Sequence, residues 1–310
     1  MSPSVAKRRA VPGGTALIAA ILCVGALFAF VRPAGGAAPD LDAIRRLSRI
    51  GRFAEGELAA RALLAKTERR TGPESVETAD VLDELAVALR RGGKVGKSEA
   101  REVCERALRI KERALGTHDA RYATSLYNLA LLHFMRGEFD SAATHLDRSL
   151  RIREEALGPD HPDVAQSLLA VAALELERRD LASSRAAVER AVGIQRTALA
   201  PDDPERAYGL NVLGSLEYEI GALSNAIPVL EEAIALLERS SPPNRPLLGN
   251  CYHNLGCVYS EMADNERALK TFRRALRLRE GSLGPDHPNV ASTLVALGET
   301  MMEMADTIGA

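Results

Sequence analysis

Leu157-Gly158-Pro159-Asp160-His161-Pro162-Asp163-Val164-Ala165 recurs further along the chain as Leu283-Gly284-Pro285-Asp286-His287-Pro288-Asn289-Val290-Ala291. The two strings lie 126 residues apart, three intervals of 42. Partial copies occupy the neighbouring steps: Leu115-Gly116-Thr117-His118-Asp119 before, then Leu199-Ala200-Pro201-Asp202-Asp203-Pro204, and a degraded Ser241-Pro242-Pro243. A fixed period of this size marks one supersecondary unit repeated along the chain, not one or two compact domains.

Within each period the apolar spacing is helical. Leu82, Leu85 and Ala86 recur as Leu126, Leu129 and Ala130, and again as Leu168, Val171 and Ala172. Leu210, Leu213 and Gly214 follow, then Tyr252, Leu255 and Gly256, then Leu294, Leu297 and Gly298. The i, i+3, i+4 pattern draws an apolar stripe on a first helix, and the small third residue admits a second helix at close range. Turns follow at Gly137-Glu138-Phe139 and Gly221-Ala222-Leu223. The second helix then carries Ala142, Leu146, Ser149 and Leu150, echoed by Ala268, Phe272, Ala275 and Leu276. Each hairpin is apolar on both flanks, so it buries them only against neighbouring hairpins. The repeated strings read as punctuation: Asp160 and Asp286 as caps, Pro162 and Pro288 in the first helical turn, Gly158 and Gly284 as left-handed residues closing the helix before.

The succession Leu126, Leu129-Ala130, Gly137, Phe139, Ala142, Leu146, Ser149 resembles the tetratricopeptide motif. The period of 42 and the linker at 157–165 resemble the kinesin-light-chain type of that repeat, and Pro228 stands early in a second helix, where that type often has proline. The resemblance implies an all-α fold, a right-handed solenoid of stacked antiparallel hairpins that binds protein or peptide and catalyses nothing.

On this reading repeats fall at about 75–115, 119–157, 161–199, 203–241 and 245–283, with a final helix at 288–304, so that the array covers 75–310. Residues 40–72 make a divergent hairpin. Ahead of it, residues 15–31 are an uncharged apolar run with Lys7, Arg8 and Arg9 in the basic flank 1–14, and 32–39 form a linker. Seventeen apolar residues are short for a membrane span and long for a signal-peptide core. Two expectations follow: an anchor with the array outside the cytoplasm, because the basic flank stays inside, or a secreted or periplasmic chain after cleavage near Ala37.

Composition narrows the function further. The residues beyond Lys7, Arg8, Arg9 and Arg32 hold 36 basic against 42 acidic side chains. A mildly acidic body argues against nucleic acid, which requires a basic face. With no tryptophan, 4% aromatic residues and four cysteines in no paired spacing, the chain offers neither a disulfide frame nor a thiol metal site. His161 and His287 have no second ligand at metal-site spacing, and Gly92-Gly93-Lys94-Val95-Gly96-Lys97 reads as an interhelical turn, not a phosphate loop. The expectation is no enzyme, no cofactor and no metal.

The resemblance also implies a concave groove lined by the first helices. The positions that match are Tyr127, Asn128, Leu131, Phe134, Asn211, Tyr218, His253 and Asn254, with Met135, Glu219, Cys257 and Glu261 one or two turns on. Asn128, Asn211 and Asn254 each keep one member of an Asn pair that, in that type, hydrogen-bonds a ligand's backbone. Leu169-Ala170 and Val295-Ala296 depart from it. Arg90 and Arg91 apart, the groove lacks the cations that would clamp an acidic C-terminus. The expected ligand is neutral or basic with an apolar centre facing Tyr127, Leu131 and Phe134. Two other readings stand beside this one: a structural module that pairs with itself through the final helix and its Met301, Met302 and Met304, and the sensor portion of a larger signalling protein.

Overall fold

A computed structural model describes residues 39–309. The flank, apolar run and linker at 1–38 lie outside the described residues, and with them the expected anchor. Among the described residues no helix is long and apolar enough to cross a membrane.

Thirteen helices and no strand occupy the described residues. They run α1 (Pro39–Arg49), α2 (Phe53–Thr71), α3 (Val76–Arg91), α4 (Ser98–Leu115), α5 (Ala120–Met135), α6 (Phe139–Leu157) and α7 (Pro162–Glu177). Then come α8 (Leu181–Ala198), α9 (Arg206–Glu219), α10 (Leu223–Arg239), α11 (Arg245–Glu261), α12 (Asn265–Leu283) and α13 (Pro288–Gly309). Consecutive helices pack as hairpins, and each odd-numbered helix also meets the next odd-numbered one. The result is an all-helical solenoid whose core continues from one hairpin to the next: a single apolar cluster runs from Tyr127 to Ala275.

The linkers depart from expectation in one respect. The caps of α7 and α13 are the histidines, not Asp160 and Asp286. Nδ1 of His161 accepts from the Asp163 amide, and Nδ1 of His287 from the Asn289 amide, both at 3.1 Å. An imidazole can do this because its unprotonated nitrogen is an acceptor two residues from the first free amides, where aspartate usually serves. Gly158 and Gly284 do have positive φ, 90° and 87°. Their ψ values near 155–159° place them in extended positive-φ space rather than the left-handed helical well, a region open to glycine alone.

Second helices also reach forward to the next hairpin through one polar position per period. Arg153 donates to the Asp163 carbonyl at 2.9 Å, Gln195 to that of Glu205 at 3.4 Å, and Arg279 to that of Asn289 at 2.8 Å. Arg153 and Arg279 are buried. Each is compensated by further acceptors: Ser167 Oγ at 2.8 Å for Arg153, and Asn250 Oδ1 at 3.0 Å for Arg279. A buried cation with this many acceptors fixes the angle between hairpins, since a shift by one residue leaves it uncompensated.

The two helices of a hairpin also approach closely. A Cβ added to Gly214 would meet Leu230 at 2.6 Å, and one added to Gly256 would meet Phe272 at the same distance. At the equivalent sites, Ala86, Ala130 and Ala172 and the opposing Cys104, Leu146 and Val188 are all buried. The expected close approach of the two helices is therefore present, and glycine stands where the opposing side chain is Phe272.

Gly256→Val should destabilise the array by about 2 kcal/mol through overpacking against Phe272, measured by urea unfolding. Gly298→Ala, where nothing lies within 4 Å of an added Cβ, should instead stabilise by up to about 1 kcal/mol from helix propensity alone.

Candidate partner-binding surface

Side chains expected to line the groove lie on the first helices, and seven of the eight are buried: Tyr127, Asn128, Leu131, Phe134, Asn211, His253 and Asn254. Tyr218 alone is half-buried. Burial has a specific cause at each position. The Tyr127 ring lies 4.8 Å from the guanidinium of Arg153, which it covers, and Leu131 is packed in the central cluster. Phe134 packs edge-on against Phe139 across the α5–α6 turn, 5.6 Å between centroids. His253 leans on Phe272 at 5.5 Å, and burial holds its imidazole pKa well below the ordinary value, hence neutral.

Asparagines divide into two kinds. Asn128 differs from expectation, because its amide donates to Asp83 Oδ1 at 3.1 Å, from α5 back to α3. Asp83 also accepts from Ser125 at 2.8 Å and from the buried Lys111 at 2.6 Å. Asp80 completes the cation's compensation at 2.7 Å. Asn128 thus joins repeats. Asn254 also joins repeats, donating to Asn211 Oδ1 at 3.0 Å and to Ser215 at 2.9 Å. That pair keeps capacity in reserve: Asn211 Nδ2 and Asn254 Oδ1 are buried and meet no hydrogen-bond partner in the protein. A donor and an acceptor side by side match the two faces of one peptide unit.

Accessible side chains gather at the C-terminal ends of the first helices. Met135, Glu177, Tyr218, Glu219 and Cys257 are half-buried there, and Glu261 is exposed. Glu177, Glu219, Glu261 and Glu303 fall at successive intervals of 42, so the period repeats an acidic position. Glu219 pairs with Arg179. Partial burial, with the neighbouring Glu219 charge second, raises the Glu177 carboxyl to about 7. Neither Glu177 nor the buried cations Lys111, Arg153 and Arg279 stood out in the sequence. The 42-residue interval that aligns the apolar residues aligns both of these columns as well. Among the described residues no group of His, Cys, Asp or Glu is arranged to hold a metal ion.

Sequence models described as tetratricopeptide repeat match residues 78–120 and 123–163, and again 205–281 and 252–307. The chain belongs to the tetratricopeptide-repeat family. No curated protein matches it. Solved structures share the fold. BtubC (BKLC) from P. vanneervenii is 22% identical with TM-score 0.54, over 78% of this chain and 93% of that one. The nearly identical TPR-like repeats assigned to a kinesin light chain of Podosopora anserina are 20% identical with TM-score 0.50, over 67% and 98%. A Rap protein complexed with Competence and Sporulation Factor is 15% identical with TM-score 0.62, over 87% and 72%.

Asp83→Ala should destabilise the tetratricopeptide array by about 3 kcal/mol, because it strips a buried lysine of its main counter-charge. Chemical unfolding measures this, and Glu261→Gln on the exposed rim should leave the midpoint within about 0.5 kcal/mol.

Proposed function

We propose that the chain is a non-catalytic interaction scaffold whose first helices hold an extended segment of a partner protein. The observation that carries this reading is the accessible column of Glu177, Tyr218, Glu219, Cys257 and Glu261 at the C-terminal ends of the first helices; the unspent donor and acceptor of the buried Asn211–Asn254 pair become available only where α9 and α11 part. Tyr218, two turns beyond Asn211, and Cys257, one turn beyond Asn254, give an apolar surface, and Glu177, Glu219 and Glu261 give an acidic rim. A ligand that satisfies all three is a peptide with an exposed backbone unit, an apolar centre and neutral or basic ends. Family membership supports a role in protein–protein contact, and the Rap structure holds its Competence and Sporulation Factor on a similar fold.

Residues 15–31 serve in this reading as a membrane tether, with the array outside the cytoplasm. The alternative is release into the periplasm or medium by cleavage near Ala37. The mass of the chain recovered from its own cells decides between them: a chain starting at Ala38 excludes the tether.

Peptides with an apolar centre and Lys or Arg ends should bind the full chain, and counterparts with Asp or Glu ends should bind at least tenfold more weakly. Tyr218→Ala with Asn254→Ala should reduce binding more than tenfold with helicity unchanged. Loss of one neutral hydrogen bond and one apolar contact is worth about 2 kcal/mol. Equal binding of both peptide classes would exclude the acidic rim, and undiminished binding by the double variant would exclude the amide pair. Affinity for the basic peptide should rise between pH 6 and 8, as the raised Glu177 carboxyl ionises. Glu177→Gln should flatten that rise.

A further inference from the structure

Lys111, Arg153, Gln195, Leu237 and Arg279 stand at one position of successive second helices, at intervals of 42. Fourteen residues after each stand Ser125, Ser167, Gly209, Cys251 and Thr293. The two positions change together. Arg153 donates to Ser167 Oγ at 2.8 Å and Arg279 to Thr293 Oγ1 at 2.5 Å, while Lys111 and Ser125 share Asp83 Oδ2. Leu237 and Cys251 are both buried and apolar. Gln195 is matched with Gly209, and this pair has neither the cation nor the hydroxyl.

Glutamine is shorter than arginine, and a cavity of about 20 Å³ opens where the guanidinium would end. Glu205 and Tyr208 line it. One period earlier they correspond to the Asp163 carbonyl and Gln166 Oε1, which accept from Arg153 at 2.9 and 3.2 Å. The space suits a group the size of one water molecule. Its polar wall offers acceptors. Gln195 is 8% exposed, and its Oε1 is buried with no hydrogen-bond partner in the protein. The half-buried Glu205 carboxylate makes no hydrogen bond or ion pair with a described side chain. Burial first, then the charge of Asp203, raise that carboxyl to about 7; Arg49 of α1 works against them and Asp163 adds to them. Acceptors shut away from water without donors are costly, and a charged donor relieves that cost. Pro162, Leu169 and Leu199 form the rest of the wall and suit an alkyl stem.

We propose that this cavity binds an alkylammonium group, carried by a lysine side chain of a partner or by a free amine, in the place that Lys111, Arg153 and Arg279 fill from within the array. The ammonium lodges between Gln195 Oε1 and the Glu205 carboxylate, with its stem along Leu169 and Leu199. A water-sized tip fits the space, which a planar guanidinium entering from outside exceeds. The cavity lies at the N-terminal ends of α7 and α9, and the acidic rim at the C-terminal ends of the first helices, so this inference does not rest on the peptide groove.

Ligand-observed NMR on the full chain tests it, with Nα-acetyl-lysine N-methylamide as the probe. Saturation transfer should reach its ε-methylene protons. The norleucine analogue, which keeps the stem and lacks the charge, should bind weaker by about tenfold or more. Glu205→Gln should weaken the lysine amide by a similar factor without lowering the unfolding midpoint. Gln195→Arg with Gly209→Ser rebuilds the internal brace, so it should abolish binding and raise the midpoint in urea. Circular dichroism confirms that each variant remains folded. 1,4-Diaminobutane separates the two sources: tighter binding than the lysine amide assigns the site to a free amine, weaker binding to a lysine side chain. Equal binding of the norleucine analogue would overturn the proposal, as would undiminished binding by Glu205→Gln or by the rebuilt brace. A cavity that holds water only, with no saturation transfer to either amine, would overturn it too.

Discussion

The distance at which the second helix of each hairpin may approach the first governs the whole array. Where the first helix offers Gly256, the second inserts Phe272; where it offers Ala172, the second inserts Val188. Sizes are traded across the contact at nearly constant depth, as close packing requires. Because the hairpin has apolar surface on both flanks, a correct depth within one unit sets the surface presented to the next. An error there would tilt every later repeat, and this explains why the column of small residues is kept through six first helices while the linker strings decay to Ser241-Pro242-Pro243.

Apolar stacking fixes distance and leaves rotation between hairpins weakly determined. Polar contacts supply that determination. Lys111, Arg153 and Arg279 sit in one column and are compensated by Asp83, by the Asp163 carbonyl and by the Asn289 carbonyl respectively. At the same column Gln195 makes a longer contact and Leu237 makes none, so the middle of the array is held less firmly by this device. The Asn211–Asn254 pair lies in that same middle region, and its unspent amide groups coincide with the weakest polar bracing. A site that must admit another chain is expected where the stack is least tied to itself.

The fold was legible because its information is periodic. Leu126, Leu129 and Ala130 mean little singly, but six copies, the first 44 and the others 42 residues apart, leave only a repeat of helical hairpins. The candidate site was legible in part. The positions on the first helices were identified, but their exposure was not: whether Asn128 faces a ligand or Asp83 depends on the neighbouring helix's side chain, which spacing does not reveal. The caps show the same limit. Asp160 and His161 are both plausible acceptors one residue apart, and backbone geometry at the turn selects the imidazole.

Function in a repeating structure belongs to the places where the repeat fails to cancel itself. Inside the stack, the small residues from Ala86 to Gly256 are covered by second helices, so those positions answer only for stability. The accessible positions lie at the C-terminal ends of the first helices, where Glu177, Glu219 and Glu261 recur at the 42-residue interval beside Tyr218 and Cys257. A period that returns one acidic side chain to the same edge of successive hairpins builds a rim that no single repeat has. A partner with cations spaced along its length can meet such a rim at several points at once, gaining through effective concentration what no single contact gives.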